Sequence, residues 1–181
     1  MKKILSLLTI CLLGFSATAF AQDSTKVYTV DEIIANAPQL VGQTVLVKGK
    51  AEHVCSVSGR KIFLQTSDLK RTVQVSAGRG LAKFDPQAVG KEVTATGVVF
   101  ESKITLEKLE KQLEAVKKVE AENKEAEHCS SEAKASGQDV KLSVSQRVQS
   151  QIDKLKKQIA DGGNPYLSYY SIFKCNTYKF D

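Results

Sequence analysis

Two histidines and four cysteines are the residues of this 181-residue chain best suited to bind a transition metal. His53 and Cys55 lie two residues apart, His128 and Cys129 are adjacent, and Cys175 lies near the C-terminus. Side chains at i and i+2 on one strand face lie about 6.5–7 Å apart, so both can reach one ion. Zinc binds Cys and His in tetrahedral sites, and thiolates also suit Cu(I). A zinc or copper site formed by these five residues is therefore one hypothesis.

The same cysteines support two other interpretations. The spacing contains no C-x-x-C or H-x-x-x-H pattern. In an oxidising compartment a disulfide between two of Cys55, Cys129 and Cys175 is the favoured interpretation, and the sequence does not choose among the three pairings. Burial as thiols is the remaining alternative, because cysteine is among the most frequently buried residue types.

The N-terminus predicts export. Lys2 and Lys3 precede an apolar run over Ile4–Phe15, and Ala19-Phe20-Ala21 forms an A-x-A cleavage site. This pattern predicts a signal peptide over residues 1–21, which would remove the fourth cysteine, Cys11, and lead to a periplasmic or secreted protein. No later segment is long and apolar enough to predict a transmembrane helix.

The charge of the mature chain argues against nucleic acid as the partner. Removal of two of the 26 Lys and Arg leaves 24 against 20 Asp and Glu, so the formal net charge falls from +6 to +4. The positive residues are scattered and form no run of four or more. Nucleic-acid binding favours a dense basic face, which this pattern does not predict.

A repeated template predicts the core of the fold. The segments GQTVLVKGKA (Gly42–Ala51) and GKEVTATGVV (Gly90–Val99) share G-x-x-V-x-x-x-G. Their apolar residues alternate with period two, which is typical of strands. A glycine in the middle of a strand often marks a bend or a barrel corner. The two copies therefore predict strands of a small coiled barrel.

Further elements surround these two strands. Thr29 and Glu32 have capping-box spacing and predict a short helix that ends at Pro38. Strands are predicted over Arg60–Thr66 and Arg71–Ala77, and Asp85-Pro86 predicts a single helical turn.

Two apolar stripes at helical spacing follow from Thr105 onward. They consist of Leu106, Leu109, Leu113 and Val116, and then of Val148, Ile152, Leu155 and Ile159. Such stripes predict an antiparallel helical hairpin that ends at Asp161-Gly162-Gly163. The tyrosine-rich segment after Pro165 predicts a last, long strand.

This order of elements, with the glycine-bent first strand at Gly42–Gly49, resembles that of the OB-fold. The mature N-terminal part, over Tyr28–Glu101 together with the final strand, is similar to the exported bacterial OB-fold proteins. The resemblance implies a mainly β fold: an OB-like five-stranded barrel with a helical hairpin inserted between strands 4 and 5. The expected organisation is a signal peptide (1–21), barrel strands 1–4 (22–104), the helical hairpin (105–162) and the final strand (163–181).

Two residue sets are candidates for ligand contacts in such a barrel. The aromatic set comprises Phe63, Tyr166, Tyr169, Tyr170, Phe173 and Tyr178, and the basic set comprises Arg60, Lys61, Lys70, Arg71 and Arg79. OB-folds stack bases or sugars on aromatic rings, although core packing is the favoured role of Phe63 and Phe173.

The sequence favours a binding protein over an enzyme. It contains no G-x-S-x-G, H-E-x-x-H or kinase motif, so no catalytic residue is predicted. We expect an exported, non-enzymatic OB-fold binding protein that holds a small ligand or a protein partner on its barrel face and helical hairpin. The alternatives are a zinc or copper module that uses the Cys/His set, and a protein-interaction module that uses the hairpin.

Overall fold

A computed structural model gives the structure of this protein and describes residues 26–122, 133 and 138–181. The expected signal peptide and the pair His128 and Cys129 lie outside the described residues. Among the helices in the described ranges, none has the length and apolar character needed to cross a bilayer.

Five strands close into a barrel. They are β2 (Thr44–Val54), β3 (Lys61–Gln65), β4 (Thr72–Ala77), β5 (Glu92–Thr105) and β6 (Tyr166–Phe180), and they are preceded by a short strand, β1 (Val27–Thr29). Their order is β1-β2-β3-β4-β6-β5, and β5 also pairs with β2, which closes the barrel. The β4–β6 pairing is parallel, the other barrel pairings are antiparallel, and the short β1 extends β2 in parallel. The barrel fits an OB-like fold, as the sequence predicts.

The two copies of the repeated template pair with each other at the barrel closure. Val45 lies opposite Gly97, and Gly49 lies opposite Val93, so each central glycine faces a valine of the other copy. A Cβ at Gly49 would lie 2.5 Å from Val30 Cγ2, which means that only glycine lets the preceding helix, which begins at Val30, pack this closely. The mid-strand glycines therefore mark close approaches at the barrel closure.

Helix α1 (Val30–Leu40) packs against the barrel core. Thr29 caps it in a capping box with Glu32, as predicted. The prediction that the helix ends at Pro38 is wrong, because the helix includes Pro38 and continues to Leu40. Pro38 lies in the last turn, where it removes one helical hydrogen bond, and burial of Leu40 in the barrel core favours the helical path of that turn.

The barrel interior contains one apolar cluster. It includes residues of α1 and of all five barrel strands, together with Phe84 and Ala88 beside the 3₁₀ turn Pro86–Ala88. Asp85 caps this turn by accepting a hydrogen bond from the Gln87 N–H at 2.9 Å, which confirms the predicted single turn.

Helices α2 (Leu106–Ala121) and α3 (Val144–Ala160) form a second cluster outside the barrel. Its buried members are Leu109, Val148, Ile152, Leu155 and Leu167, the last of which belongs to β6. The predicted apolar stripes are therefore the packed faces of the two helices, except that Ile159 remains 40% exposed. Because Leu167 and Ile104 join this cluster, the helix pair is attached to the outer face of β5 and β6.

Candidate functional site

The predicted metal ligand His53 lies off the core face of β2. A register shift between Ala51 and His53 interrupts the pairing of β2 with β3. Val54 therefore joins Val45 and Ala51 in the core cluster, whereas His53 lies opposite Phe63 with its ring 6.0 Å from the phenyl ring. Strict alternation along β2 predicts His53 on the face of Val45 and Ala51, and this prediction is wrong because the bulge reverses the alternation of side chains.

The two described cysteines are buried and are not joined to each other. Cys175 belongs to the barrel core cluster and its Sγ lies 3.3 Å from the Thr177 carbonyl, whereas Cys55 lies outside that cluster at the end of β2. Burial raises the pKa of the Cys175 thiol. The Cys55–Cys175 pairing is therefore not formed, and the pairings with Cys129 lie outside the described residues, as does the predicted ligand His128.

Within the described ranges, no three His, Cys, Asp or Glu residues come together in a group able to hold a metal ion. The zinc or copper site proposed from His53, Cys55, His128, Cys129 and Cys175 thus gains no support from the described members. Two of the five lie outside the described residues, so this site stays a prediction.

The outer face of β4, β5 and β6 carries a different set of side chains. Gln74 lies opposite Ser171, and Ser171 lies opposite Phe100, so these residues form a row across three strands. The neighbouring residues Val75, Ile172 and Val99 point into the core cluster, which fixes the row on the outer face. A groove of about 250 Å³, here called the outer groove, lies on this face. It is lined by Thr72, Gln74, Phe100, Ser102, Tyr169, Tyr170, Ser171 and Phe173.

Two exposed aromatic rings form one end of the outer groove. The centroids of the Phe100 and Phe173 rings lie 5.1 Å apart with an interplanar angle of 50°. Phe100 is 47% exposed and Phe173 is 41% exposed. Core packing was the favoured role of Phe173, and this interpretation is wrong, because Phe173 lies outside the barrel one residue after the core residue Ile172. The ring pair offers apolar aromatic surface to a ligand.

Thr72 supplies a buried hydroxyl to the outer groove. The residue is 8% exposed, and its Oγ1 has no hydrogen-bond partner among the described residues. By contrast, the neighbouring Gln74 amide donates to Ser76 Oγ at 2.9 Å. A buried hydroxyl without a partner costs about 1–3 kcal/mol, so its presence in a groove indicates a group available to a ligand.

A second cavity of about 250 Å³ lies between α3 and β6, here called the helix cavity. It is lined by Gln138, Asp139, Leu142, Arg147, Ser150, Gln151, Lys154 and Tyr169. Arg147 is 8% exposed, and its Nε has no hydrogen-bond partner in the part of the chain that the structure describes. Tyr169 also lines the outer groove, so the two cavities are adjacent. Burial raises the pKa of the Tyr169 phenol, which therefore stays protonated at neutral pH and can donate a hydrogen bond.

A third cavity of about 540 Å³ adjoins the aromatic end of the outer groove through Phe173. It is lined by Arg60, Ala77, Gly78, Arg79, Phe173, Lys174 and Asn176, and is here called the basic cavity. The Arg60 guanidinium donates to the carbonyls of Ala77, Gly78, Leu81 and Ala82 at 2.8–3.3 Å. Its donors thus hold the loop after β4, which leaves Arg79 and Lys174 as the more accessible cations. The three cavities together are called the outer track.

A further groove of about 470 Å³ lies on β1, β2, β5 and β6. Its lining includes Lys48, Thr94, Thr96 and Thr177. It is larger than the outer groove, but neither Thr72 nor Arg147 lines it. The outer track is therefore the better candidate for a ligand site, because it contains the buried polar atoms of Thr72 and Arg147 that have no partner among the described residues.

The outer track contains five of the residues predicted as ligand contacts: Tyr169, Tyr170, Phe173, Arg60 and Arg79. The other predicted aromatics serve different contacts, since Phe63 is completely buried, Tyr178 accepts from the Asp85 N–H, and Tyr166 lies under Lys103. The predicted cations Lys61, Lys70 and Arg71 do not line the track.

Sequence reasoning missed Thr72, Phe100, Arg147 and Lys154. The alternation of Phe100, Ser102 and Ile104 after the core residue Val99 was a usable signal for Phe100, because it marks a second face of β5. Arg147 had no comparable signal, since one charged residue beside an apolar stripe is common on helices.

Comparisons with protein-family models, curated proteins and solved structures find no match to this chain.

Proposed function

We propose that this protein is an exported, non-enzymatic OB-fold binding protein whose ligand lies along the outer track. One observation carries the proposal. Among the described residues, two buried side-chain polar atoms have no hydrogen-bond partner, Thr72 Oγ1 and Arg147 Nε, and both belong to residues that line this track. Each such atom costs stability unless something binds to it, and violations of this kind concentrate at functional sites.

The ligand that matches this surface has an apolar, flat part. The exposed rings of Phe100 and Phe173 line the outer groove together with the hydroxyl-bearing residues Thr72, Ser102 and Ser171. Ligand sites typically combine apolar contact area with a few polar groups that fix orientation. A small ligand with an aromatic or similarly flat apolar part fits this description better than a purely polar one.

The helix pair belongs to the proposed site. Helix α2 follows β5 without an intervening residue, and residues 161–165 connect the end of α3 to β6. The proposal includes the prediction that the two helices form one hairpin inserted between the fourth and fifth barrel strands, with its packed base against Leu167 and Tyr169. In OB-folds this connection is one of the loops that contact ligands. Export and a relation to the exported bacterial OB-fold proteins rest on the sequence pattern of residues 1–21 and of the barrel strands.

A fluorescence titration with anilinonaphthalene sulfonate tests the proposal. The probe combines flat apolar rings with an anionic group. We expect saturable binding to the wild-type protein, with affinity weakened by about tenfold or more in the double variant Phe100→Ser/Phe173→Ser, because two aromatic contacts are lost.

The matched control is Val57→Ser/Val89→Ser, which removes two hydrophobic side chains that are 76% and 45% exposed and lie outside the outer track. This variant should bind the probe as the wild type does. Equal loss of affinity in both double variants, or no saturable binding to the wild type, would contradict the outer track as the ligand surface.

A further inference from the structure

The helix cavity contains an uncommon electrostatic arrangement. Arg147 is more than nine-tenths buried, Lys154 lines the same cavity, and Asp139 is the one acidic residue among the described lining residues. The described part of the lining therefore has two positive charges and one negative charge, a formal charge of +1. A cavity with a buried guanidinium and a net positive lining favours an anionic group.

The described carboxylates do not neutralise Arg147. None of the ion pairs among the described residues includes it. Asp139 Oδ1 instead accepts a hydrogen bond from the Lys141 N–H at 2.9 Å, which assigns this carboxylate to the turn before α3. A buried charge without a counter-charge is costly, because the interior replaces its hydration poorly.

We propose that the helix cavity binds an oxyanion group of the ligand, a carboxylate or a phosphate, through the Arg147 guanidinium. Lys154 supplies a second positive charge, and Ser150, Gln151 and the Tyr169 phenol are the neutral hydrogen-bond donors of the lining. Guanidinium binds carboxylate and phosphate oxygens through paired N–H donors, which explains an arginine at this position. This inference rests on the proposed function, because it assigns a chemical group to one end of the outer track.

The volume of the helix cavity and its position beside the outer groove indicate the size and arrangement of the ligand. A cavity of about 250 Å³ is smaller than the roughly 300–1,000 Å³ of typical ligand pockets, which suits a head group better than an extended ligand. Tyr169 lines both the helix cavity and the outer groove, so the ligand carries its oxyanion beyond the apolar part that contacts Phe100 and Phe173.

Thermal unfolding in the presence of inorganic phosphate or of acetate, at constant ionic strength, tests the oxyanion site. The variants are Arg147→Met, which removes the charge with little change in length, and Lys157→Gln, which removes a positive charge from an exposed position of α3 outside the cavity. We expect at least one of the two anions to raise the Tm of the wild type and of Lys157→Gln in a saturable way. The apparent affinity should be weakened by about tenfold or more in Arg147→Met. A response to phosphate alone identifies a phosphate group, and a response to acetate identifies a carboxylate.

The Tm of the Arg147→Met variant without added anion shows whether the substitution itself disturbs folding. Without added oxyanion its Tm should equal or exceed that of the wild type, because the substitution removes a buried charge that forms no ion pair with the described residues. Equal anion responses in all three proteins, no response of the wild type to either anion, or a markedly lower Tm of Arg147→Met would each overturn the oxyanion site. The proposed function would survive such a result if probe binding still depended on Phe100 and Phe173, so the two failures are distinguishable.

Discussion

Gly97 of β5 lies so close to Phe173 of β6 that a Cβ at Gly97 would be 2.7 Å from the Phe173 carbonyl oxygen. The close approach occurs at a bulge, where the pairing of β5 with β6 shifts between Thr96 and Val98. Lys174, the next residue of β6, has a φ of 58° in the left-handed region. The glycine and the bulge together direct the Phe173 ring outward, next to Phe100, while Ile172 and Cys175 remain in the core.

Gly97→Ala should therefore destabilise the protein and disturb the aromatic end of the outer groove. The added methyl would also lie 2.5 Å from Ile172 Cγ2, so both backbone and core must shift. We expect a loss of about 1–3 kcal/mol in the free energy of unfolding, measured by urea denaturation. Gly80→Ala is the control, because its Cβ would meet only the Asn176 side chain at 3.3 Å or more. Similar losses in the two variants would contradict the argument.

Thr72→Val should stabilise the protein. Valine has nearly the same shape as threonine and removes the buried hydroxyl that lacks a partner among the described residues. We expect the free energy of unfolding to rise by about 1 kcal/mol, because the desolvation cost of the hydroxyl disappears.

Thr66→Val is the matched control for Thr72→Val. Thr66 is 1% exposed, and its hydroxyl lies 2.6 Å from Asp68 Oδ1 and accepts from the Arg71 N–H at 3.1 Å. The same substitution should therefore reduce stability by about 1–3 kcal/mol there. Urea unfolding curves of the two variants measured side by side should shift in opposite directions, and a loss in both would show that Thr72 has a partner in solution.

Arg60→Lys should destabilise the loop after β4 although it keeps the positive charge. The planar guanidinium donates to four backbone carbonyls at once, and a lysine ammonium cannot reproduce that geometry. We expect a loss of about 1–3 kcal/mol and faster amide hydrogen exchange in residues 78–83. Arg79→Lys, at an exposed position of the same loop, should change neither quantity, and an unaltered exchange rate in Arg60→Lys would refute this role.

The strands and short helical turns of the barrel region were predictable because they depend on residues that are close together in the sequence. Alternation around Val45 and Val93 and the glycines at positions 49 and 97 indicate strands that bend, and the cap residues at positions 29, 32 and 85 fix short helical turns. The pairing of the two template copies with each other depends on contacts between residues that are distant in the chain, from Lys50 with Glu92 to Thr44 with Val98, so periodicity alone could not assign it.

The site was only partly predictable because bulges and burial are properties of the packed structure. The shift in the β2–β3 register between Ala51 and His53 reverses which residues of β2 face the core. The sequence has no proline or glycine between these two residues that would indicate a bulge. For Phe173, alternation predicted the core, but the register shift at Val98 places the ring outside. The burial of Arg147 depends on how α3 packs against β6, which the pattern of a single helix does not contain.

Alkaline pH should destabilise the protein through Cys175. Burial raises the pKa of this thiol in the folded state, so the folded protein holds the proton more tightly than the unfolded chain does. The stabilising contribution is complete below the unfolded pKa of about 8.5 and is lost as the pH rises through the folded value. Urea unfolding midpoints measured from about pH 7 to about pH 10 should fall for the wild type, with a smaller fall for Cys175→Ala because the titrating thiol is absent. Parallel curves for the two proteins would show that Cys175 ionises as readily in the folded barrel as in the unfolded chain.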